Sequence, residues 1–178
     1  LSIQSRDVIN PAIRGLIVDS SGVPLALNRV GLAITVDRIA LDKQSDKGAI
    51  VLASVSNLLG LAYADVYRAT RLCGELPKND KAGCWTGSRY QPIPITKEAD
   101  PEIALRIVER SDQYPGISAT PVSIRNYPAN AGVNGAHLLG YVGPLTDADL
   151  SGANGRSYFR SESIGKAGLE IQYDEYLR

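Results

Sequence analysis

Ile164-Gly-Lys-Ala-Gly-Leu-Glu-Ile-Gln-Tyr-Asp-Glu-Tyr-Leu-Arg178 is the stretch on which the reading of this chain turns. Wound as a helix, it sets Leu169, Tyr173, Tyr176 and Leu177 at i, i+4, i+7 and i+8, which predicts one apolar face. Glu170 and Asp174 stand four apart on a neighbouring face, and Arg178 continues their row. Gly165 and Gly168 flank the start, where the chain must bend tightly and backbones can approach closely. The stretch ends without a glycine cap or a tail, so further chain is expected to follow it.

The rest of the sequence sets the limits. Its 178 residues suffice for one domain, or two small lobes, with a real core. Lys plus Arg and Asp plus Glu number 19 each, so net charge is zero, and no charged block stands out. That excludes the electrostatic footprint of a nucleic-acid binder. Tyrosine occurs nine times, against one Phe, one Trp and no Met. An apolar ring with a polar tip suits half-buried surfaces and so points to interfaces. The longest charge-free run, Gly48 to Ala64, falls short of the roughly 20 residues of a membrane span. It also carries Ser54, Ser56 and Asn57, and reads as a core helix. No signal peptide is present, and the missing initiator Met leaves room for a membrane anchor upstream.

In chain order, Arg14–Asp19 reads as a strand, Ser20–Pro24 as a turn with Gly22 at positive φ, and Leu25–Val36 as the returning arm of a hairpin. Asp46 is the expected N-cap of a helix to about Leu59, with Val51, Val55, Leu58 and Leu59 inward and Gly60 ending it. A second helical run covers Ala64–Leu72. The segment from Cys73 to Cys84 is poor in apolar residues, and a bridge across it would contribute roughly 3 kcal/mol. A disulfide is therefore favoured over two free thiols, which implies an oxidising, extracytoplasmic compartment. The spacing is wrong for zinc and the only His is distant, so neither a metal nor another cofactor is expected. Trp85 either packs on the bridge or forms an exposed contact.

Tyr90–Ile95, with two prolines, is confined to an edge strand. Asp100-Pro101-Glu102 starts a helix that turns Ile103, Ile107 and Val108 inward. Gly116–Ala119 and Pro121–Tyr127 read as short strands, and Asn134–Gly135 as the start of a helical turn before His137–Val142. Thr146 to Asp149 resembles a capping box, and 151–161 reads as a loop. Strands and helices mix without βαβ alternation, so the fold class is α+β.

Four segments in fixed order carry a family resemblance: Arg14-Gly-Leu-Ile-Val-Asp-Ser-Ser-Gly-Val-Pro-Leu-Ala-Leu-Asn28, Arg125-Asn-Tyr-Pro128, His137-Leu-Leu-Gly-Tyr-Val-Gly143 and Ile164–Leu177. Together they resemble the N-terminal pedestal, or dimerisation domain, of class B penicillin-binding proteins, especially the elongation type. The cysteine loop with Trp85-Thr-Gly-Ser-Arg-Tyr-Gln-Pro-Ile-Pro-Ile95 is similar to the actinobacterial branch. One departure is that the family's usual Asp-Arg-Asn-Gly is here Asp19-Ser20-Ser21-Gly22, which keeps the turn and loses any contact from the Arg.

The resemblance implies a two-lobed pedestal, with an anchor lobe from 1–30 and 116–178 and a head lobe inserted at 31–115. A transmembrane helix would precede it and a DD-transpeptidase domain would follow, on the extracytoplasmic face of the membrane. Its implied role is non-catalytic: to hold the transpeptidase in place during peptidoglycan synthesis for elongation and cell shape. Implied partners are that catalytic domain, the membrane glycan polymerase of the shape, elongation, division and sporulation class, the rod-complex scaffold protein, and a second copy. The implied structural residues are Arg14, Gly15, Asp19, Gly22, Arg125, Tyr127, Pro128, His137, Gly140, Tyr141, Gly143, Gly165, Gly168, Glu170, Tyr173 and Asp174.

Ser163-Ile-Gly-Lys166 matches the S-x-x-K of acylating enzymes, but the companion K-[ST]-G is missing, because Lys166-Ala-Gly168 has Ala in its middle. A β-lactamase-like acyl-transfer fragment is therefore the weaker reading, and a free-standing extracytoplasmic binding module is another. Arg14, Asp19, Arg125, Glu170 and Asp174 are expected to form one polar network, with Arg14 paired to Glu170. The alternative is a set of solvated surface charges contributing about 0–1 kcal/mol per pair. His137 is expected to be a hydrogen-bonded structural residue, and Tyr127, Pro128 and Tyr141 packing residues. The glycines at 140, 143, 165 and 168 do not make a phosphate loop.

Overall fold

The computed structural model describes residues 13–77, 83–128, 135–146, 149 and 163–178. The expectations for Asn134 and for 151–161 lie outside them. The described residues divide into two compact units, one formed by 30–122 and the other by 13–29 with 123–178. Strands and helices are mixed in both.

The first unit holds the C-terminal half of β2 (Pro24–Val36), α1 (Arg38–Asp42), α2 (Ala49–Leu59), α3 (Tyr63–Ala69), β3 (Ile93–Thr96), α4 (Pro101–Glu109) and the start of β4 (Ile117–Asn126). β2 is one strand of 13 residues. Its end pairs antiparallel with β3, at Ile34 with Thr96 and Val36 with Ile93, and it also pairs with β4. Ala33 to Val36 are all buried, as a strand covered on both faces must be, which is why this run is apolar but for Thr35, whose hydroxyl donates to the Ser118 carbonyl. Around it Leu41, Val51, Leu52, Val55, Val66, Ala104, Ile107 and Ile117 close the core.

The helices differ from the sequence reading in detail. α1 was not expected: five residues carry no readable period, and its first residue is a buried arginine. Asp37 caps it, accepting from the amides of Ile39 and Ala40. Asp46 is not the N-cap: that position is Gly48 and α2 begins at Ala49, while Asp46, two residues earlier, accepts from the amides of Gly48 and Ile50. Gly60 ends α2 at φ 67°. Asp100 caps α4 through the Glu102 amide, with Pro101 at its first position. Val108 does not face inward. It is 55% exposed, because α4 buries the face of Ala104 and Ile107 and Val108 falls one helical step beyond it.

The Cys73–Cys84 disulfide closes its loop, and just outside it Leu72 and Trp85 form a bridge. Trp85 is half-buried. Its indole lies over Gly87, where a Cβ would come within 2.4 Å of the ring, and its N–H donates to the Ser88 carbonyl.

The second unit holds β1 (Ile17–Val18), the start of β2, the end of β4, α5 (Ala136–Leu139), β5 (Val142–Pro144), β6 (Ser163–Gly165), α6 (Gly168–Gln172) and α7 (Asp174–Leu177). β1 pairs antiparallel with β2, and Gly22 at φ 82° turns the hairpin. The strand expected over Arg14–Asp19 shrinks to two residues because Gly15 spends its backbone groups outside the ladder. Its N–H donates to the Leu177 carbonyl and its carbonyl accepts from Arg125. β5 and β6 pair antiparallel, Val142 opposite Gly165.

The C-terminal stretch is two short helices broken at Tyr173, and of the expected apolar face only Leu177 is buried. Glu170, Asp174 and Leu177 point inward, while Tyr173 is 47% and Tyr176 87% exposed. Among the described residues no helix is long and apolar enough to cross a membrane.

The face assigned to α4 is testable by denaturant unfolding. Ile107→Ala should lower stability by about 2–5 kcal/mol, the range for a fully buried aliphatic side chain. Val108→Ala should change it by no more than about 0.5 kcal/mol.

Candidate functional site

The inward face of α6 and α7 carries two carboxylates, and the second unit is organised to receive them. Glu170 is fully buried. Its Oε2 accepts from Arg14 Nε at 2.5 Å, and its Oε1 accepts from Arg125 Nε at 2.8 Å and the Tyr127 hydroxyl at 3.1 Å. Its backbone carbonyl accepts from Arg14 Nη2 at 2.8 Å. One turn on, Asp174 Oδ1 lies 2.8 Å from Arg14 Nη2 and accepts the Gly165 amide at 2.8 Å. Arg125 also donates to the Gly15 carbonyl at 2.6 Å, and Asn28 donates its amide to the Arg14 carbonyl.

Two cations thus face two anions, with the side chains of Arg14 and Arg125 only 10% and 4% exposed. Isolated ions would not survive such burial; paired and hydrogen-bonded ones do. Each guanidinium fork bonds a carboxylate and a main-chain oxygen together, which fixes orientation as well as charge. The phenol of Tyr127 is pushed up to about 12, first by burial and then by the neighbouring Glu170 charge.

Of the five charges expected to form one network, Arg14, Arg125, Glu170 and Asp174 come together and Asp19 does not. Asp19 folds back on its own turn, accepting from the amides of Ser21 and Val23. Tyr127 joins the cluster through a hydroxyl that a packing assignment overlooked. Pro128 beside it is half-buried.

Close backbone approach explains the glycines. Gly140 has φ 76° and ψ −152°, and a Cβ there would sit 1.9 Å from the Ala167 carbonyl. A Cβ on Gly165 would lie 2.0 Å from the Glu170 carbonyl, and one on Gly168 2.4 Å from that of Leu138. Gly143 abuts the Lys166 side chain. These contacts seat α5, β6 and α6 against one another and so aim Glu170 at the arginines.

Two assignments are corrected. His137 is exposed and makes no hydrogen bond among the described residues, because α5 turns Leu139 inward and His137 away. Tyr141 is 59% exposed rather than packed, and its carbonyl accepts from the Lys166 amide.

Ser163 and Lys166 are separated by extended backbone, so the one-turn spacing that would bring them onto one face is lacking. Lys166 Nζ instead bonds Asp149 at 2.5 Å, and Asp149 exchanges hydrogen bonds with Thr146 as a capping box. Asp149 is held down to about 2, chiefly by the Lys166 bond and then by Thr146. No group of His, Cys, Asp and Glu suited to a metal occurs among the described residues.

The family profile "Penicillin-binding Protein dimerisation domain" matches residues 9–178. The chain is 30% identical over 175 residues to the peptidoglycan D,D-transpeptidase MrdA of Haemophilus influenzae, covering 94% of this chain and 24% of that protein. It is 30% identical over 166 residues to penicillin-binding protein 3 of Bacillus subtilis, covering 93% and 22%. The chain therefore spans about a quarter of these relatives. A solved complex between a penicillin-binding protein (PBP2) and MreC from Helicobacter pylori contains a similar fold, with TM-score 0.64 at 21% identity over 94% of this chain and 28% of that one.

Removing one anion from the cluster should be severe. Glu170→Ala leaves two buried guanidinium groups facing one carboxylate and should cost about 3–5 kcal/mol in urea unfolding. The Asp149 bridge has the opposite character, being only part-buried and pH-dependent. Its folded-state pKa lies below the ordinary value of 3.8, so its contribution is present above that value and lost as the pH falls through about 2. Lys166→Met should move the Asp149 carboxyl titration upward in carbon-13 spectra.

Proposed function

Because the chain belongs to the penicillin-binding protein dimerisation domain family, we propose that it is the non-catalytic pedestal of a membrane-anchored, class B peptidoglycan D,D-transpeptidase. The observation that carries this reading is the cluster of Arg14, Arg125, Glu170 and Asp174. Together with the Gly15–Leu177 hydrogen bond it ties the start of the described chain to its last helix, on either side of more than 150 intervening residues. A domain held this way can fix the position of whatever adjoins its ends. The lack of an acylation geometry at Ser163 supports a structural rather than an enzymatic role.

We assign the second unit to the anchor lobe, expected at 1–30 and 116–178, and the first to the inserted head lobe, expected at 31–115; the division near Val30 supports this assignment, while 116–122 fall in the first unit. The disulfide suits an extracytoplasmic location. Tyr173, Tyr176 and Ile171, exposed on α6, α7 and the break between them, form the surface on which the catalytic domain would seat. The scaffold protein of the rod complex is a proposed partner, in keeping with the solved Helicobacter pylori complex of PBP2 with MreC. The membrane glycan polymerase and a second copy of this chain are the others.

Fluorescent penicillin and amide exchange test both halves of the proposal. The full-length protein should take covalent label and the 178-residue chain none; labelling of the chain alone, lost in Ser163→Ala, would refute a non-catalytic role. Amides of 173–178 should exchange more slowly in the full-length protein than in this chain, and Tyr173→Ala with Tyr176→Ala should abolish the difference. Equal exchange rates in the two proteins would remove this surface from the seat.

A further inference from the structure

On α3 and the turn after it, Tyr63, Tyr67 and Arg71 follow one another at i, i+4 and i+8, so they share one face. The two rings lie 5.9 Å apart with their planes tilted by 34°, and the Arg71 guanidinium sits 4.2 Å from the centre of the Tyr67 ring. Tyr63 is 41% and Tyr67 37% exposed. The row is also rigidly based. The Arg71 carbonyl accepts from the Trp85 amide at 2.8 Å, and the Cys73 amide donates to the Trp85 carbonyl at 3.0 Å, directly beside the disulfide.

Among the described residues neither phenol hydroxyl makes a hydrogen bond, no carboxylate pairs with Arg71, and Arg71 Nε has no acceptor. The adjacent cation is different, since Arg68 pairs with Asp65 at 3.1 Å. Small residues, Ala62 and Ala64, flank the row and leave it open.

We infer that this row is a contact site for a glycan strand bearing carboxylates, which is the chemistry of uncross-linked peptidoglycan. The inference rests on the pedestal reading for the source of the ligand, and on the row itself for the match. The C–H faces of pyranose rings carry the partial positive charge that the electron-rich ring face attracts. Sugar hydroxyl and acetamido groups pair with the phenols. A stem-peptide carboxylate supplies the counter-ion that Arg71 lacks, and a guanidinium held over an aromatic ring keeps its fork free to receive it. A partner helix would need a continuous apolar stripe, and the row offers two phenols and a guanidinium instead.

Titration of the 178-residue chain, followed by tyrosine resonances, decides it. The first probe is an N-acetylglucosamine–N-acetylmuramic acid tetrasaccharide with stem peptides, and the second is chitotetraose, which has no carboxylate. The charged strand should bind the more tightly. Tyr67→Ala should weaken it roughly three- to tenfold, Tyr67→Phe less, and Arg71→Gln should erase the preference over chitotetraose. Circular dichroism checks that the variants fold, and Tyr63→Ala, at the open end of the row, stands in if Tyr67→Ala does not. Absence of saturable binding, or binding unchanged in all these variants, overturns the inference. Tighter binding of a glutamate-rich peptide also overturns it and assigns the row to an acidic protein. Amide exchange at 173–178 reports on the pedestal reading alone, so the two ideas fail separately.

Discussion

The burial of two carboxylates on consecutive turns, Glu170 and Asp174, is the constraint that the second unit obeys. A buried charge without a partner is prohibitively unfavourable, so wherever α6 and α7 settle, two cations must already be waiting. Arg14 and Arg125 come from opposite ends of the sequence, and bringing them to one site closes loops of more than 100 residues. Such closure depends only weakly on loop length. What the cluster contributes is specificity: a helix shifted by one residue would present Ile171 to two guanidinium groups. Buried ion pairs often stabilise no more than apolar packing of equal volume, and their value here lies in fixing one register.

The two units reach order by different means. The first is an apolar core in the ordinary sense, with β2 covered on both faces and α2 and α4 packed around it. The second buries few large aliphatic side chains among its described residues; Leu139, Ile164 and Leu177 are the ones it does bury. In place of volume it uses proximity. Gly140, Gly165 and Gly168 let backbones touch where any side chain would collide. The arginines then bond main-chain oxygens as well as carboxylates, so the cluster ties backbone to backbone. Close main-chain contact and charge-assisted hydrogen bonds are both short-ranged and directional, whereas apolar packing tolerates repacking.

This difference explains what the sequence revealed. Elements with strong local signals were readable: the Asp100-Pro101 start of α4, the Gly22 turn, the Gly60 stop, the pairing of Cys73 with Cys84. The pair of Arg14 and Glu170 was also readable, because charges embedded among glycines and apolar residues are seldom solvated. The rest was hidden for specific reasons. α1 is too short for a period and opens on Arg38, whose burial depends on the Thr70 carbonyl and on Glu75, far along the chain. Asp19 has the composition of a network member, but a turn two residues away satisfies it first. Tyr127 was read as a packing ring, since nothing local shows that its hydroxyl meets Glu170. The largest misreading concerned the helix face at 169–177. Hydrophobic periodicity assumes that apolar residues define the inside, and that assumption fails where the inside is lined with arginine.

That inversion links the cluster to the outer surface. An α-helical segment has one inward face, and here Glu170, Asp174 and Leu177 occupy it at i, i+4 and i+7. The break at Tyr173 lets α7 begin a new turn without rotating Asp174 away from Arg14. Once those positions are committed, Tyr173 and Tyr176 have nowhere to go but outward, where their rings lie 6.5 Å apart. Their exposure is thus a consequence of where the acids go. An apolar core would have drawn the tyrosines in and left a charged, solvated outer face. By placing the charges inside, the sequence frees its aromatic residues to face outward and gives them a base fixed in register. The buried polar cluster and the exposed aromatic surface are two sides of one choice of helix orientation.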